Sequence, residues 1–320
     1  MKSFLKFLGW LLLVTLITLY TFRTPDTDPK AMIAKYGAAP SKFLKLPDGL
    51  VVHMRDEGPR DAPVLLLLHG SNADLHTWTP WVDALKDRYR VIRIDQIGHG
   101  LTGTDPRGDY SPAGFANRLA QVVDALGLQK FALGGNSMGG GVAIRYALDH
   151  PGRLTALVLV DAAGAPVTEP VKGNIGFKLA RMPGVNLIAE QVTPRWMIEK
   201  SLRQTVANQA VVTDAMVDRY WELLRFPGNR AATFTRMALP RVPYSQQQFA
   251  SLKLPVLVMW GEQDALIPLS SGKLMASLIP GATLITYPGI GHIPMEEAAQ
   301  RSAGDLAGWL AAHGVPGKPG

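Results

Sequence analysis

Short runs dominated by apolar residues recur along the chain with amphipathic stretches between them: Val64–Leu68, Val91–Ile94, Phe131–Gly135, Leu157–Val160, Val256–Trp260 and Thr283–Tyr287. A strand with one wet face alternates apolar and polar residues. A run that does not alternate has both faces buried, which is the condition of a strand inside a parallel sheet covered by helices. The stretches between the runs carry apolar residues at helical spacing: Leu75–Arg88, Phe115–Leu126, Gly139–Leu148, a segment around Leu269–Leu278, and a closing stretch from about Pro294 to Ala312. Ahead of them, Lys42–Leu46 and Leu50–Arg55 flank the turn Pro47-Asp48-Gly49, a strand–turn–strand pattern. The expected fold is α/β: a mostly parallel central sheet flanked by helices, with residues 41–164 as its first part and 246–313 as its second.

Between residues 165 and 245 the rhythm stops. No short apolar strand run occurs there, and helical periodicity is punctuated by Pro183-Gly184, Pro194, Pro227-Gly228 and Pro240. This segment reads as a helical cap inserted into the sheet fold. It holds eleven Lys/Arg against six Asp/Glu, a net of +5 out of +7 for the whole chain. That excess reads either as a solvated helical surface or as a basic face set against anionic lipid. Its apolar residues Phe177, Leu179, Met182, Val185, Leu187 and Ile188 are either the cap's own packing or a lipid groove.

At the N-terminus, Lys2 and Lys6 precede a charge-free run from Phe7 to Phe22, closed by Arg23. As a helix it would extend about 24 Å, near the ~30 Å of a hydrocarbon core once Phe4 is counted and Lys6 snorkels. A secretory signal would end in small residues, whereas this run ends Thr18-Leu19-Tyr20-Thr21-Phe22. Residues 1–23 are therefore expected to be an N-terminal signal anchor or transmembrane helix, with a cleaved signal and a buried core helix as the alternatives. Residues 24–40 are expected to be a linker. The positive flank places the N-terminus in the cytoplasm and the catalytic domain on the extracytoplasmic (periplasmic) side.

There are no cysteines among the 320 residues, which excludes a cysteine nucleophile, disulfides and thiolate metal sites. The basic balance is not accompanied by a basic run interleaved with aromatics, so nucleic acid is not an expected partner. No H-E-x-x-H spacing or G-x-x-x-x-G-K loop occurs in the sequence, and no dinucleotide G-x-G-x-x-G opens a helix after the first strand. No metal and no organic cofactor is expected.

The chemistry concentrates at Gly135-Asn136-Ser137-Met138-Gly139, directly after an apolar run and directly before a helical one. A strand-to-helix turn of this kind lifts the serine hydroxyl clear of the sheet, and its glycines avoid collision with the neighbouring backbone. It also points a helix N-terminus at developing negative charge. A serine hydroxyl needs a base, and seven histidines are available: His53, His69, His76, His99, His150, His292 and His313. His292 follows the last strand run between Gly289, Gly291 and the closing helix, at a carboxyl end where such sheets place functional groups. His313 lies in the C-terminal tail, and His150 ends a helix before Pro151. The acid that orients the histidine is Asp264, four residues past the run Val256–Trp260. Asp161, at the end of the preceding run, is the competitor, and Glu262 lies closer to the strand. The two backbone donors for an oxyanion are Met138, after the nucleophile, and Ser71, in the loop after the first buried strand.

Leu68-His69-Gly70-Ser71, Asp95-Gln96-Ile97-Gly98-His99-Gly100, Gly135-Asn136-Ser137-Met138-Gly139-Gly140, Gly261-Glu262-Gln263-Asp264 and Gly291-His292 occur in that order. Together they resemble the landmark motifs of the α/β-hydrolase superfamily, in its capped serine-hydrolase branch of lipases, carboxylesterases and carbon–carbon hydrolases. The resemblance implies that Asp95 and His99 belong to a structural turn. It also implies hydrolysis of an acyl or lipid-like carboxylic ester, a small-molecule substrate, through an acyl-enzyme on Ser137. Carbon–carbon hydrolases usually carry a glycine-rich oxyanion loop and a tryptophan shortly after the histidine. Here the sequence reads Gly70-Ser71-Asn72-Ala73, and Ile293-Pro294-Met295 follows the histidine. A carbon–carbon or perhydrolytic reaction on the same triad is the alternative within enzymes, and a ligand-binding relative with negligible turnover the alternative outside them.

Overall fold

The computed structural model describes residues 2–167, 169 and 190–318. Eight strands form one sheet: β1 (Ser41–Lys45), β2 (Val51–Glu57), β3 (Val64–Leu68), β4 (Arg90–Ile94), β5 (Phe131–Asn136), β6 (Leu154–Val160), β7 (Val256–Gly261) and β8 (Thr283–Tyr287). Their order is β1-β2-β4-β3-β5-β6-β7-β8. β1 runs antiparallel to β2 and β2 to β4, and every other pair is parallel.

Side chains alternate across a strand, so the two halves of each apolar run serve two different cores. Leu66 and Leu68 of β3 join Ile92, Leu133 and Val258 on one face. There they meet Phe115 and Leu119 of α4 (Pro112–Ala125) and Val142 and Ile144 of α5 (Met138–Asp149). Leu65 and Leu67 join Val91, Val158 and Leu257 on the other face, under Trp78, Trp81 and Leu310. All four leucines of Leu65–Leu68 are fully buried. Truncating any one of them to alanine would cost about 2–5 kcal/mol.

The expected helix Leu75–Arg88 divides into a 3-10 turn, Leu75–Trp78, and the helix α3 (Thr79–Leu85). The division falls at Pro80, which has no N–H to give the preceding turn and stands in the first turn of α3, while the Asp95 and Asp74 carboxylates accept from the Leu75 and His76 N–H groups and cap the 3-10 turn. The closing helix is likewise divided, into Pro294–Glu297 and Ala299–Ala312, at Ala298, whose φ of −130° is not helical.

Between β6 and β7 the described part of the cap contains helices α6 (Arg195–Arg203), α7 (Asp214–Leu224), α8 (Asn229–Ala238) and α9 (Gln246–Ser251). The apolar cap residues Phe177, Leu179, Met182, Val185, Leu187 and Ile188 lie outside the described residues.

The N-terminal segment forms the helix α1 (Lys2–Thr21). Among the described residues no helix is long and apolar enough to cross a membrane, so a spanning helix is not part of the fold that is shown. The physical shortfall is length: the charge-free stretch begins only after Lys6, leaving about 24 Å against ~30 Å of hydrocarbon. The following stretch contains a helix, α2 (Pro29–Tyr36), started by Asp28, whose carboxylate accepts from the Lys30 and Ala31 N–H groups. It lies along the cap. The Thr24 N–H donates to Gln191 O (2.8 Å), Thr27 N–H to Arg225 O (2.9 Å), and Lys35 Nζ to Glu222 Oε2 (2.7 Å).

Candidate active site

Every sequence-predicted site residue stands at the carboxyl end of a parallel strand. Ser71 follows β3, Ser137 and Met138 follow β5, Asp161 follows β6, Asp264 follows β7 and His292 follows β8. Helices packed on both faces leave this edge as the place where loops converge over a crevice.

Ser137 has φ 53° and ψ −117°, a left-handed state that costs a residue with a Cβ about 1–3 kcal/mol. The surrounding glycines make the turn possible. A Cβ on Gly135 would lie 2.3 Å from Gly139 O, and one on Gly139 2.3 Å from Leu68 O. Met138 is the first residue of α5, so its N–H has no partner within the helix. Among the described residues the Ser71 N–H has no backbone acceptor either. Both are oriented donors left over by the local geometry.

His292 Nδ1 lies 2.7 Å from Asp264 Oδ2. The other Asp264 oxygen accepts from the Leu266 N–H (2.8 Å) and the Ile267 N–H (3.0 Å), so the carboxylate is fixed from both sides. Both residues are buried. Asn136, which the sequence reading passed over as the variable position of the motif, ties the site together. Its Nδ2 donates to Val160 O (3.1 Å) and to His292 O (3.0 Å), joining the strand beside Ser137 to the histidine loop. The signal for it was its place before Ser137 in a strand, where its side chain must project from the sheet beside the site.

Asp161 is fully buried with φ 44° and accepts from the Gly261 N–H through Oδ1 (2.9 Å). Burial and the Asp264 carboxylate push its own carboxyl well above the usual range. Asp161, Asp264 and His292 each bring one ligand-type atom within 4.8 Å of the others. A cation there would have to share the Asp264 carboxylate, which is already committed to three partners. The donor set fits acid–base work better than metal binding.

The remaining histidines have structural roles. His69 Nε2 accepts from the Gln96 N–H (3.0 Å), which leaves the proton on Nδ1 to donate to Gly70 O (2.7 Å). Burial depresses its pKa and keeps it neutral. Asp95 accepts from the Leu75 and Leu101 N–H groups and faces His53 Nδ1 at 2.7 Å, and His99 Nδ1 donates to Ile97 O. Both belong to the structural turn that was expected of them.

Among the described residues a cleft of about 650 Å³, its open side included, lies over the site. Ser71, Ser137 and His292 line it, and Ile198, Leu202 and Leu224 of the cap give it an apolar wall.

The sequence pattern of the α/β hydrolase fold family matches residues 63–299, which include six of the eight strands, the cap and the site. The chain belongs to the α/β-hydrolase family. It is a hydrolase of that fold, and its relatives include lipases and 2-hydroxy-6-oxononadienedioate/2-hydroxy-6-oxononatrienedioate hydrolases. This α/β hydrolase is 28% identical to Lipase 3 of Moraxella sp. (strain TA144), over 82% of each chain. It is 30% identical to the 2-hydroxy-6-oxononadienedioate/2-hydroxy-6-oxononatrienedioate hydrolase of Burkholderia vietnamiensis (strain G4 / LMG 22486), over 82% of this chain and 93% of the relative. In structure it resembles a membrane phospholipase A, with a TM-score of 0.75 at 24% identity over 98% of this chain and 99% of the other, a likeness of fold.

Proposed function

We propose that this α/β hydrolase cleaves carboxylic esters of acyl or lipid-like type through an acyl-enzyme on Ser137. The observation that carries the reading is the 2.7 Å contact of His292 Nδ1 with Asp264 at a cleft whose floor holds Ser137 and whose wall is apolar. In the proposed reaction the Ser137 Oγ–H proton passes to His292 Nε2 as Oγ bonds to the acyl carbon, and the carbonyl π pair moves onto oxygen. The N–H groups of Ser71 and Met138 receive that oxyanion. The C–O bond to the alcohol then breaks, and His292 returns the proton to the leaving oxygen. Water, deprotonated by His292, repeats the sequence on the acyl-enzyme and frees the acid. Asp264 holds the imidazole tautomer and steadies its positive charge. No cofactor takes part.

Relatives of both kinds are similar to this chain; the apolar cap residues Ile198, Leu202 and Leu224 in the cleft and the sequences Gly70-Ser71-Asn72-Ala73 and Ile293-Pro294-Met295 favour an ester over the carbon–carbon or perhydrolytic alternative. Hydrolysis of p-nitrophenyl esters from two to sixteen acyl carbons tests it. Turnover abolished by Ser137→Ala is the expected outcome, and the preferred chain length would measure the cleft. Labelling of Ser137 by a fluorophosphonate without ester turnover would refute the ester reading and leave a carbon–carbon hydrolase or a binding protein.

We also infer that α1 tethers the enzyme to a membrane with the hydrolase body on the extracytoplasmic side. In support, Phe4, Phe7, Trp10, Leu13 and Tyr20 are between 55% and 80% exposed, a run of large apolar groups that water does not stabilise.

A further inference from the structure

The loop that carries Ser71 is held from above by three side chains of the cap. Arg219 of α7 donates through Nε to Asp74 Oδ2 (3.1 Å). Thr233 of α8 donates through Oγ1 to Asn72 Oδ1 (3.1 Å), and Asn72 is itself in the left-handed region at φ 60°. One helical turn further on, Arg236 donates through Nη2 to Ser71 Oγ. The three contacts differ in their charge balance. Burial disfavours the Arg219 cation, but the Asp74 and Glu296 carboxylates outweigh it and raise its pKa. Burial would likewise raise Asp74, but Arg219 and His76 hold its carboxyl well below the usual range. Arg236 has no such partner. Among the described residues no carboxylate pairs with it, its Nε is buried without an acceptor, and the nearby charge is that of Arg241, of the same sign. Residues 170–189 contain no Asp or Glu that could answer it. Burial and Arg241 lower its pKa to about 10, so it stays protonated at neutral pH.

An uncompensated buried cation is costly in the resting protein. The cost falls when negative charge appears nearby, and in the proposed reaction that charge appears on the acyl oxygen facing the Ser71 N–H. We propose that Arg236 is a positioning residue for the oxyanion hole: its bond to Ser71 Oγ aims the Ser71 N–H at the acyl oxygen and places a positive charge behind it, so the hole is complete only with the cap seated. The inference rests on the ester reading's assignment of Ser71 as an oxyanion donor. No bond is made or broken at Arg236. Thr233 and Arg219 hold the next turns of the same loop.

Kinetics on p-nitrophenyl butyrate test it, with Arg236→Gln, Arg236→Lys, Ser71→Ala and the Ser71→Ala/Arg236→Gln double variant, each checked for folding by thermal melting. Loss of a direct oxyanion donor costs about 10²–10³-fold in kcat. A residue acting through one should cost less, about tenfold in Arg236→Gln, with KM changed less than threefold and most of the loss recovered in Arg236→Lys. Because both partners serve one contact, the double variant should be no slower than the slower single variant. Arg236→Gln should also slow phosphonylation of Ser137 by a fluorophosphonate about tenfold, because that reaction too places an oxygen in the hole. A folded Arg236→Gln that keeps kcat and the phosphonylation rate within twofold of wild type overturns the inference, as do strictly multiplicative effects in the double variant. If Arg236→Gln does not fold, Ser71→Ala decides: kcat within twofold of wild type overturns the inference, and a tenfold loss at unchanged KM supports it. Wild-type protein that is phosphonylated but hydrolyses no ester would instead be a failure of the ester reading, with the phosphonylation comparison still deciding the role of Arg236.

Discussion

Asp161 and Asp264 end adjacent strands, and either could orient a histidine in a sheet of this kind. The structure separates them by environment: Asp264 accepts two backbone N–H bonds and faces His292 Nδ1, while Asp161 is enclosed and its carboxyl is pushed well above the usual range. Asp264→Asn is expected to lower kcat by about 10⁴-fold, because an amide presents the wrong tautomer to His292. Asp161→Asn, which can keep the bond from the Gly261 N–H, is expected to stay within about tenfold. The reverse ranking would move the orienting acid to Asp161. Stability supplies an independent reading. The folded-state pKa of Asp161 lies above its ordinary 3.8, so between the two values the folded chain holds more protons than the unfolded chain. That contribution to stability therefore falls as pH rises from the ordinary carboxylate range through the folded-state value. Melting temperatures measured across this window should decline more steeply for wild type than for Asp161→Asn. Equal slopes would mean that Asp161 ionises without penalty.

At the scale of elements, the stretch after α1 contributes more than a connection. Arg230 of α8, itself buried, donates to Thr24 O (2.8 Å) and to Asp26 Oδ1 (2.6 Å), and the Tyr36 hydroxyl donates to Glu222 (2.7 Å). Arg230→Ala is expected to destabilise by about 1–3 kcal/mol through the carbonyl and carboxylate it leaves unpaired. Asp26 is half exposed, so the ion pair itself contributes little. Limited proteolysis should then cut between residues 24 and 36 faster than in wild type, and an unchanged cutting rate would show that this segment is held by other contacts. The helix α2 within it was legible in principle, because Asp28-Pro29 is a helix start, yet a polar 17-residue stretch after an apolar run resembles a spacer. The strands were legible for a simpler reason: burial on both faces demands a continuous apolar run, and Val64–Leu68 has the same ends in sequence and structure. The division of Leu75–Arg88 was legible in principle at Pro80, but the cap on the Leu75 N–H was not, because it comes from Asp95, twenty residues away and brought close by β4.

At the scale of the whole molecule, the candidate site was readable as far as its chain order reaches. Ser137, Asp264 and His292 each follow a strand, and a parallel sheet gathers strand ends on one edge. Arg236 and Thr233 were not readable, since their roles arise only from how the cap folds back over that edge. The apolar surface of α1 makes the last prediction. Protein lacking residues 1–23 should keep its ester kcat within about twofold but leave the membrane fraction on cell fractionation, because α1 supplies no residue to the cleft. Equal partition of the full-length and shortened proteins would rule out α1 as the tether.

The cap meets the histidine loop as closely as it meets the Ser71 loop. Thr205 O accepts from the His292 N–H (2.9 Å), and Glu297 accepts from the Ala207 and Asn208 N–H groups on one oxygen and from the Gly291 N–H on the other. A Cβ on Gly291 would come within 2.7 Å of Thr205 O. Grafting a cap from a relative to change substrate preference would therefore remove partners from both catalytic loops at once. In a lineage built this way, preference and rate are inherited as one block, and a successful chimera must carry the loops around Ser71 and His292 along with the cap that holds them.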